Sequence, residues 1–228
     1  MLVDLSMPLS PKTVPVPGHP EPTFAPLHLL ERDGLRNTVM SLSLHTATHI
    51  DAPSHFIADG AAIDEIAIDR FHRAGVRLDL TGSEPGAEIG LAELDAAGFE
   101  PAGCRGAILM LATGWTDRAF ETPQLYGGNP YLALDAAEAI ASAAPSAIGL
   151  DFAVDRGKPF PNHTVLLGAD VLLIENLMRL STLPRDGFTV LAFPVRISGE
   201  NGAPARVVAE VEEVEEVEDV EEVEEVQR

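Results

Sequence analysis

His45-Thr46-Ala47-Thr48-His49-Ile50-Asp51-Ala52-Pro53-Ser54-His55 places three of the chain's seven histidines and a carboxylate within eleven residues. Imidazole and carboxylate together suit zinc, manganese or iron. On a straight helix His45 and His49 share a face, but Asp51 lies well round from both. On a straight strand all four groups share a face, yet His45 and His49 stand roughly 13 Å apart, too far for one ion. Thr46, Thr48 and Ile50 are β-branched and Pro53 lacks a backbone donor, so a helix is disfavoured. The segment is therefore expected to leave a strand over Val39 to Leu44 and fold back around a metal. A lone buried histidine is ordinarily a hydrogen-bonded core residue, but four ligand groups in one short segment point to an ion. Structural zinc favours closed, cysteine-rich sites. This chain has one cysteine, Cys104, so the ion is read as catalytic.

A second acid lies further along. Val171-Leu172-Leu173-Ile174 reads as a short buried strand ending at Glu175. A carboxylate there requires a cation or hydrogen-bond partners, because burying its charge alone is costly. His163 is read in the loop that begins Pro159-Phe160-Pro161-Asn162 and precedes that strand.

The motif resembles the hallmark of the kynurenine formamidase and cyclase family of metal-dependent hydrolases, His-x-Gly-Thr-His-x-Asp-x-Pro-x-His, with Ala47 in place of the glycine. Asp4-Leu5-Ser6, Pro17-Gly18, Thr113-Gly114-Trp115, Ile148-Gly149-Leu150-Asp151, His163 with Glu175-Asn176-Leu177, and Gly202-Ala203-Pro204-Ala205-Arg206 follow in family order. The resemblance covers nearly the whole chain up to about Glu210. It implies an α/β fold of the swivelling β/β/α type, in one domain over residues 1–209. It also implies a divalent-metal centre of two ions, zinc or manganese. His45, His49 and Asp51 would hold the first ion, with Asp51 bridging. His163 would bind the second, Glu175 would reach the pair from the opposite side, and His55 would stay free to transfer protons. The implied reaction is hydrolysis of an amide-like C–N bond by metal-activated water. Aryl formamides such as N-formylkynurenine and cyclic amides such as isatin both suit it. A homo-oligomer, dimer or tetramer, with neighbouring loops closing the pocket, is implied as well. Two departures bear on the substrate. Ala47 permits a positive φ only with strain of roughly 1 kcal/mol or more. Where formamidases of this type resemble one another in an aromatic Trp-Pro-Gly-Asp stretch, this chain has Val16-Pro17-Gly18-His19. Val16 lacks a stacking ring, and His19 faces substrate, metal or water; both are candidate substrate-binding residues. Trp115 and Phe24 are candidate aromatic pocket walls or core residues.

Composition bounds the remainder. A chain of 228 residues buries one good core. No apolar stretch approaches the roughly 18 residues of a membrane span, and Met1-Leu2-Val3-Asp4 does not read as a secretion signal. A single cysteine, expected in a loop without a partner, fits a reducing cytoplasm. From Glu210 to Arg228, eleven acids and one arginine contribute −10 of the formal −21, leaving −11 on the body. That acidity is unsuited to nucleic-acid phosphates. The valines at 211, 214, 217, 220, 223 and 226 repeat every three residues and drift by about 60° per repeat on a helix, so 210–228 is expected to be a disordered solubilising tail. A non-catalytic metal-binding or partner-binding scaffold that uses this tail is the alternative reading. No Gly-x-Ser-x-Gly elbow supports a serine hydrolase.

Further strands are expected over Val76 to Leu80, Gly106 to Ala112, Ser146 to Leu150 and Phe188 to Ile197. The turn Gly199-Glu200-Asn201-Gly202 and a return strand Arg206 to Val211 complete a terminal hairpin. Helices are expected over Leu91 to Ala97 and Leu134 to Ala144, the second stopped by Pro145. Pro8 through Pro26 reads as a proline-rich loop.

Overall fold

Ile108–Ala112 is five apolar residues in a row, all buried, in the computed structural model, which describes residues 1–212. An unbroken apolar run of strand length needs cover on both faces, as a strand between parallel neighbours obtains. The strands are β1 (Leu2–Asp4), β2 (Thr23–His28), β3 (Asn37–Ser41), β4 (His49–Asp51), β5 (His72–Asp79), β6 (Glu88–Ile89), β7 (Ile108–Ala112), β8 (Tyr131–Leu132), β9 (Ala147–Leu150), β10 (Leu172–Glu175), β11 (Phe188–Pro194) and β12 (Gly202–Val211). The eight-stranded sheet runs β1-β12-β11-β5-β7-β9-β10-β4. Strands β5, β7, β9 and β10 are mutually parallel, and the other ladders of this sheet are antiparallel. A further ladder between β12 and β4 closes the sheet on itself.

Alternation along the strands separates two cores. Ile108, Met110 and Ala112 face inward with Ile50, Ile174, Val190, Val207 and Ala209. Leu109 and Leu111 face outward with Ile148, Leu150 and Leu173, against Ala136, Ala137 and Ile140 of the helix Leu134–Ala143 and Leu166 of the helix Pro161–Gly168. The first helix stops at Ala144, which is left-handed at φ 54, immediately before Pro145. No helix among the described residues is long and apolar enough to cross a membrane.

The expected strands and both expected helices are present within a few residues. The terminal hairpin is present too, with Pro194 opposite Ala205. Three local expectations are corrected. His163 is in the helix Pro161–Gly168, not in the loop before it, because Pro161 at the first helical position starts a turn its ring favours. Cys104 ends a short helix, Pro101–Cys104, and is buried. The proline-rich loop ends at Pro22, since Thr23–His28 forms β2; Pro26 is tolerated there because β2 has a single neighbour, β3. Strand β12 takes in Glu210 and Val211 at the start of the acidic repeat. Residues 213–228 of that repeat, with the disorder expected of them, lie outside the described residues.

Candidate metal centre

The short strand β4 resolves the geometric problem of the motif. His49 and Asp51 are two apart and share one face, while Ile50 points into the inner core. Antiparallel pairing places Glu175 opposite His49, which sets a third ligand group beside the first two. His45 precedes β4 by a reversal through Ala47, which has φ 58. Its ring comes back to Asp51, with Nδ1 at 2.7 Å from Oδ1. Gly202 permits that return. A Cβ there would lie 2.6 Å from the Ile50 carbonyl oxygen and 2.9 Å from His45 Cε1. The turn Pro53–His55 follows β4 and brings His55 flat against His45, with ring centroids 4.0 Å apart and planes 20° from parallel. His163 completes the group from its helix, with Nε2 at 3.6 Å from Asp51 Oδ2 and 3.7 Å from Glu175 Oε1.

Two buried carboxylate oxygens, Asp51 Oδ2 and Glu175 Oε1, have no hydrogen-bond partner among the described residues. Orphaned anionic oxygens of this kind are costly in the absence of a cation. His49 Nε2 is 3.2 Å from Asp51 Oδ1 and 3.7 Å from Glu175 Oε2. Ligand atoms about 2.1 Å from a tetrahedral ion sit about 3–3.5 Å from one another. The donor set thus fits a divalent ion. Ligand atoms gather in two overlapping groups, His49–Asp51–Glu175 and His45–Asp51–His55, which share Asp51. Asp51 is common to both groups, but they differ from the implied set: His45 and His49 fall in different groups, His55 is in one, and His163 is in neither.

The second ring nitrogens separate the histidines. His45 Nε2 is 2.7 Å from Asn201 Oδ1, His49 Nδ1 is 2.8 Å from the Ala47 carbonyl oxygen, and His163 Nδ1 is 2.7 Å from Asp155 Oδ2. Each of the three is held by a carbonyl or carboxylate oxygen with its other nitrogen aimed at the cluster, as metal-ligating histidines are. His55 makes no hydrogen bond through either ring nitrogen among the described residues. Neither Asn201 nor Asp155 stood out in the sequence.

Charge reinforces the pattern. Burial disfavours an ionised Asp51, yet His49 and His45 beside it hold its carboxyl well below the usual range. Burial likewise opposes charge on His45, His49 and His163, but Asp51, and Asp155 in the case of His163, raise all three. Glu175 is raised by burial and by the neighbouring charge of Asp51. His55 is pushed down to about 4, chiefly by burial, and is neutral at pH 7.

Val16-Pro17-Gly18-His19 forms a turn in which the His19 N–H donates to the Val16 carbonyl at 2.9 Å, with Gly18 at φ 91. It presents the His19 ring edge-on to His45 at 6.5 Å, with Nδ1 buried and without a hydrogen-bond partner among the described residues. Val16 opens the turn and is half-buried. Trp115 is core: it is buried and its Nε1–H donates to the Leu125 carbonyl at 2.9 Å. Phe24 belongs to β2, away from the main sheet. The aromatic groups beside the cluster are Phe56, stacked on His163 at 4.6 Å, and Phe160, 5.8 Å from Phe56. Phe56 adjoins the motif, a signal available in the sequence; Phe160 carries none.

Residues 3–156 match the profile of the Cyclase family, described as "Putative cyclase". The kynurenine formamidase of Salinibacter ruber (strain DSM 13855 / M31) is 28% identical over 213 residues, covering 91% of this chain and 96% of that protein. The kynurenine formamidase of Bacillus anthracis is 28% identical over 210 residues, covering 90% and 95%. Among solved structures, isatin hydrolase A from Ralstonia solanacearum superposes with a TM-score of 0.83 at 26% identity, covering 93% of this chain and 92% of that one. Isatin hydrolase A from Labrenzia aggregata, bound to benzyl benzoate, gives 0.82 at 25% identity, covering 93% and 94%. With the profile spanning more than half of the chain and a histidine–carboxylate cluster at its motif, this protein belongs to the Cyclase family.

Proposed function

We propose that the chain is a metal-dependent amidohydrolase acting on an aryl amide, either an open formamide such as N-formylkynurenine or a cyclic amide such as isatin. The observation that carries this reading is the division among the histidines. Three have their outer nitrogens held, and one, His55, is neutral and unbonded beside them. His45, His49, Asp51, His163 and Glu175 would hold the divalent metal, zinc or manganese, as two ions. A divalent ion there supplies Lewis acidity, which lowers the pKa of water towards about 7 and polarises a carbonyl.

The chain's own groups supply the remainder. A neutral imidazole accepts a proton and can release it again, so His55 takes one from the attacking water at a free ring nitrogen and delivers it to the departing amine nitrogen. Stacking on His45 fixes its ring plane. Phe56 and Phe160 form an apolar wall that suits an aryl group and excludes water. His19 and Val16 would line the approach from their own turn, which sets the His19 ring edge-on to His45.

The working form is a homo-oligomer. Among the described residues, strands β2 and β3 pair only with each other, and Leu27, Leu29, Leu30, Leu35, Val39 and Met40 on and around them are 44–52% exposed. A lone two-stranded hairpin is at best marginally stable in water, so a second copy is its natural cover. The buried lone thiol Cys104 fits a reducing cytoplasm.

Absorbance assays with N-formylkynurenine and with isatin, on protein reconstituted with zinc or manganese, test the reading. Turnover of the first identifies an arylformamidase, and turnover of isatin alone identifies a cyclic amide hydrolase. No turnover of either, with metal bound, contradicts the choice of an aryl amide as substrate.

A further inference from the structure

The loop after β9 carries a buried carboxylate outside the expected ligand set. Asp155 Oδ2 accepts the Nδ1–H of His163 at 2.7 Å and the backbone N–H of the same residue at 3.1 Å. Its Oδ1 accepts the backbone N–H of Asn162 at 3.1 Å. All of its bonds among the described residues go to these two neighbours in the first turn of the helix Pro161–Gly168. Phe160, which precedes that helix, cannot cap it with its side chain, so Asp155 satisfies the free N–H groups from a distance. The same carboxylate fixes the His163 tautomer. With Nδ1 protonated, Nε2 is left as the lone-pair nitrogen facing the orphaned oxygens Asp51 Oδ2 and Glu175 Oε1. Asn162 anchors the loop that holds the carboxylate in place, its Nδ2 donating to the Leu132 and Val154 carbonyls at 2.7 and 3.1 Å.

We infer that Asp155 is a positioning residue, acting through His163 to set the affinity of the ion that His163 holds. The inference rests on the metal-hydrolase reading, but it is tested by binding and not by turnover. An anionic partner both orients the ring and raises its basicity, and losing such a partner typically costs about 10–100-fold in metal affinity.

The experiment is calorimetric titration of zinc, and separately manganese, into the chelator-treated full chain. Asp155→Asn is compared with wild type, alone and in a His163→Gln background, with thermal unfolding measured on every variant. Asp155→Asn is expected to weaken one ion by about 10–100-fold and leave any other unchanged. In the His163→Gln background the same change is expected to leave binding untouched, while the loss of the helix cap lowers the unfolding temperature in both backgrounds. Wild-type affinity in Asp155→Asn would overturn the inference. So would an equal loss of affinity in both backgrounds, which would make Asp155 a structural residue only. Absent binding in wild type would overturn the metal reading together with it. Failure to hydrolyse either amide, with these binding differences present, would overturn only the choice of substrate.

Discussion

His55 and His45 are stacked 4.0 Å apart, yet their proposed duties are opposite. His55→Ala is expected to keep its metal and lose about 10²–10⁴-fold in kcat, read by elemental analysis beside steady-state kinetics. His45→Ala and Asp51→Ala are expected to lose metal itself, which the same elemental analysis shows. The raised affinities of His45, His49 and His163 for protons have a pH consequence. A group raised above its ordinary 6.5 holds its proton to higher pH than a free imidazole does, so protons compete with the metal for these rings over a wider range. Affinity is therefore expected to climb as pH rises from 6.5 through the raised values, with proton release on zinc addition to weakly buffered protein. Pure pH-independence would contradict the assignment. Ala47 sits at φ 58 with its methyl buried. Ala47→Gly relieves strain of about 1 kcal/mol and forfeits a methyl worth about 0.8 kcal/mol. The unfolding temperature should thus move by less than about 2 °C.

At the scale of elements, the site depends on β4 meeting β10 and β12 in a fixed register. Gly202 lies opposite Asp51, where a methyl has no room against the Ile50 carbonyl. Gly202→Ala is expected to cost about 1–3 kcal/mol and to weaken metal binding, since the displaced strand carries Asn201 away from His45. Unchanged metal affinity in a folded Gly202→Ala protein would contradict this. Much of the arrangement was legible in the sequence. His49 and Asp51 are two apart, and Glu175 ends an apolar run, so strand periodicity alone puts acids at buried edges. The rest was not, because it is made by long-range placement. Asn201 reaches His45 across the fold, and Asp155 meets His163 through the path of an irregular loop. Neither leaves a periodic trace. His163 was expected in a loop because two prolines flank Phe160, although the second of them begins a helix. Whether Trp115 walls the pocket or lies in the core was open in the sequence for a similar reason: exposure of a ring is a property of packing, and Trp115 is packed.

For the molecule as a whole, closure of the sheet through β12 and β4 joins the C-terminal strand to the motif strand, so the site is formed only when the ends of the fold meet. Metal and fold should consequently be linked. Binding ions only in the folded state is expected to raise the unfolding temperature by an amount that grows with free metal concentration, and chelation should lower it. The β2–β3 hairpin is the surface most in need of cover. Sedimentation of the full chain is expected to show a dimer or larger, and a Val39→Asp/Met40→Asp variant a smaller species. A wild-type monomer at micromolar concentration would contradict the oligomer. The most direct test of the central claim, that His55 moves the proton while its neighbours hold the ions, is the turnover of metal-replete His55→Ala on whichever of N-formylkynurenine and isatin the wild type hydrolyses. Full metal content with a loss of about 10²–10⁴-fold in kcat is the predicted result. Undiminished turnover, or loss of the metal along with the ring, would contradict it.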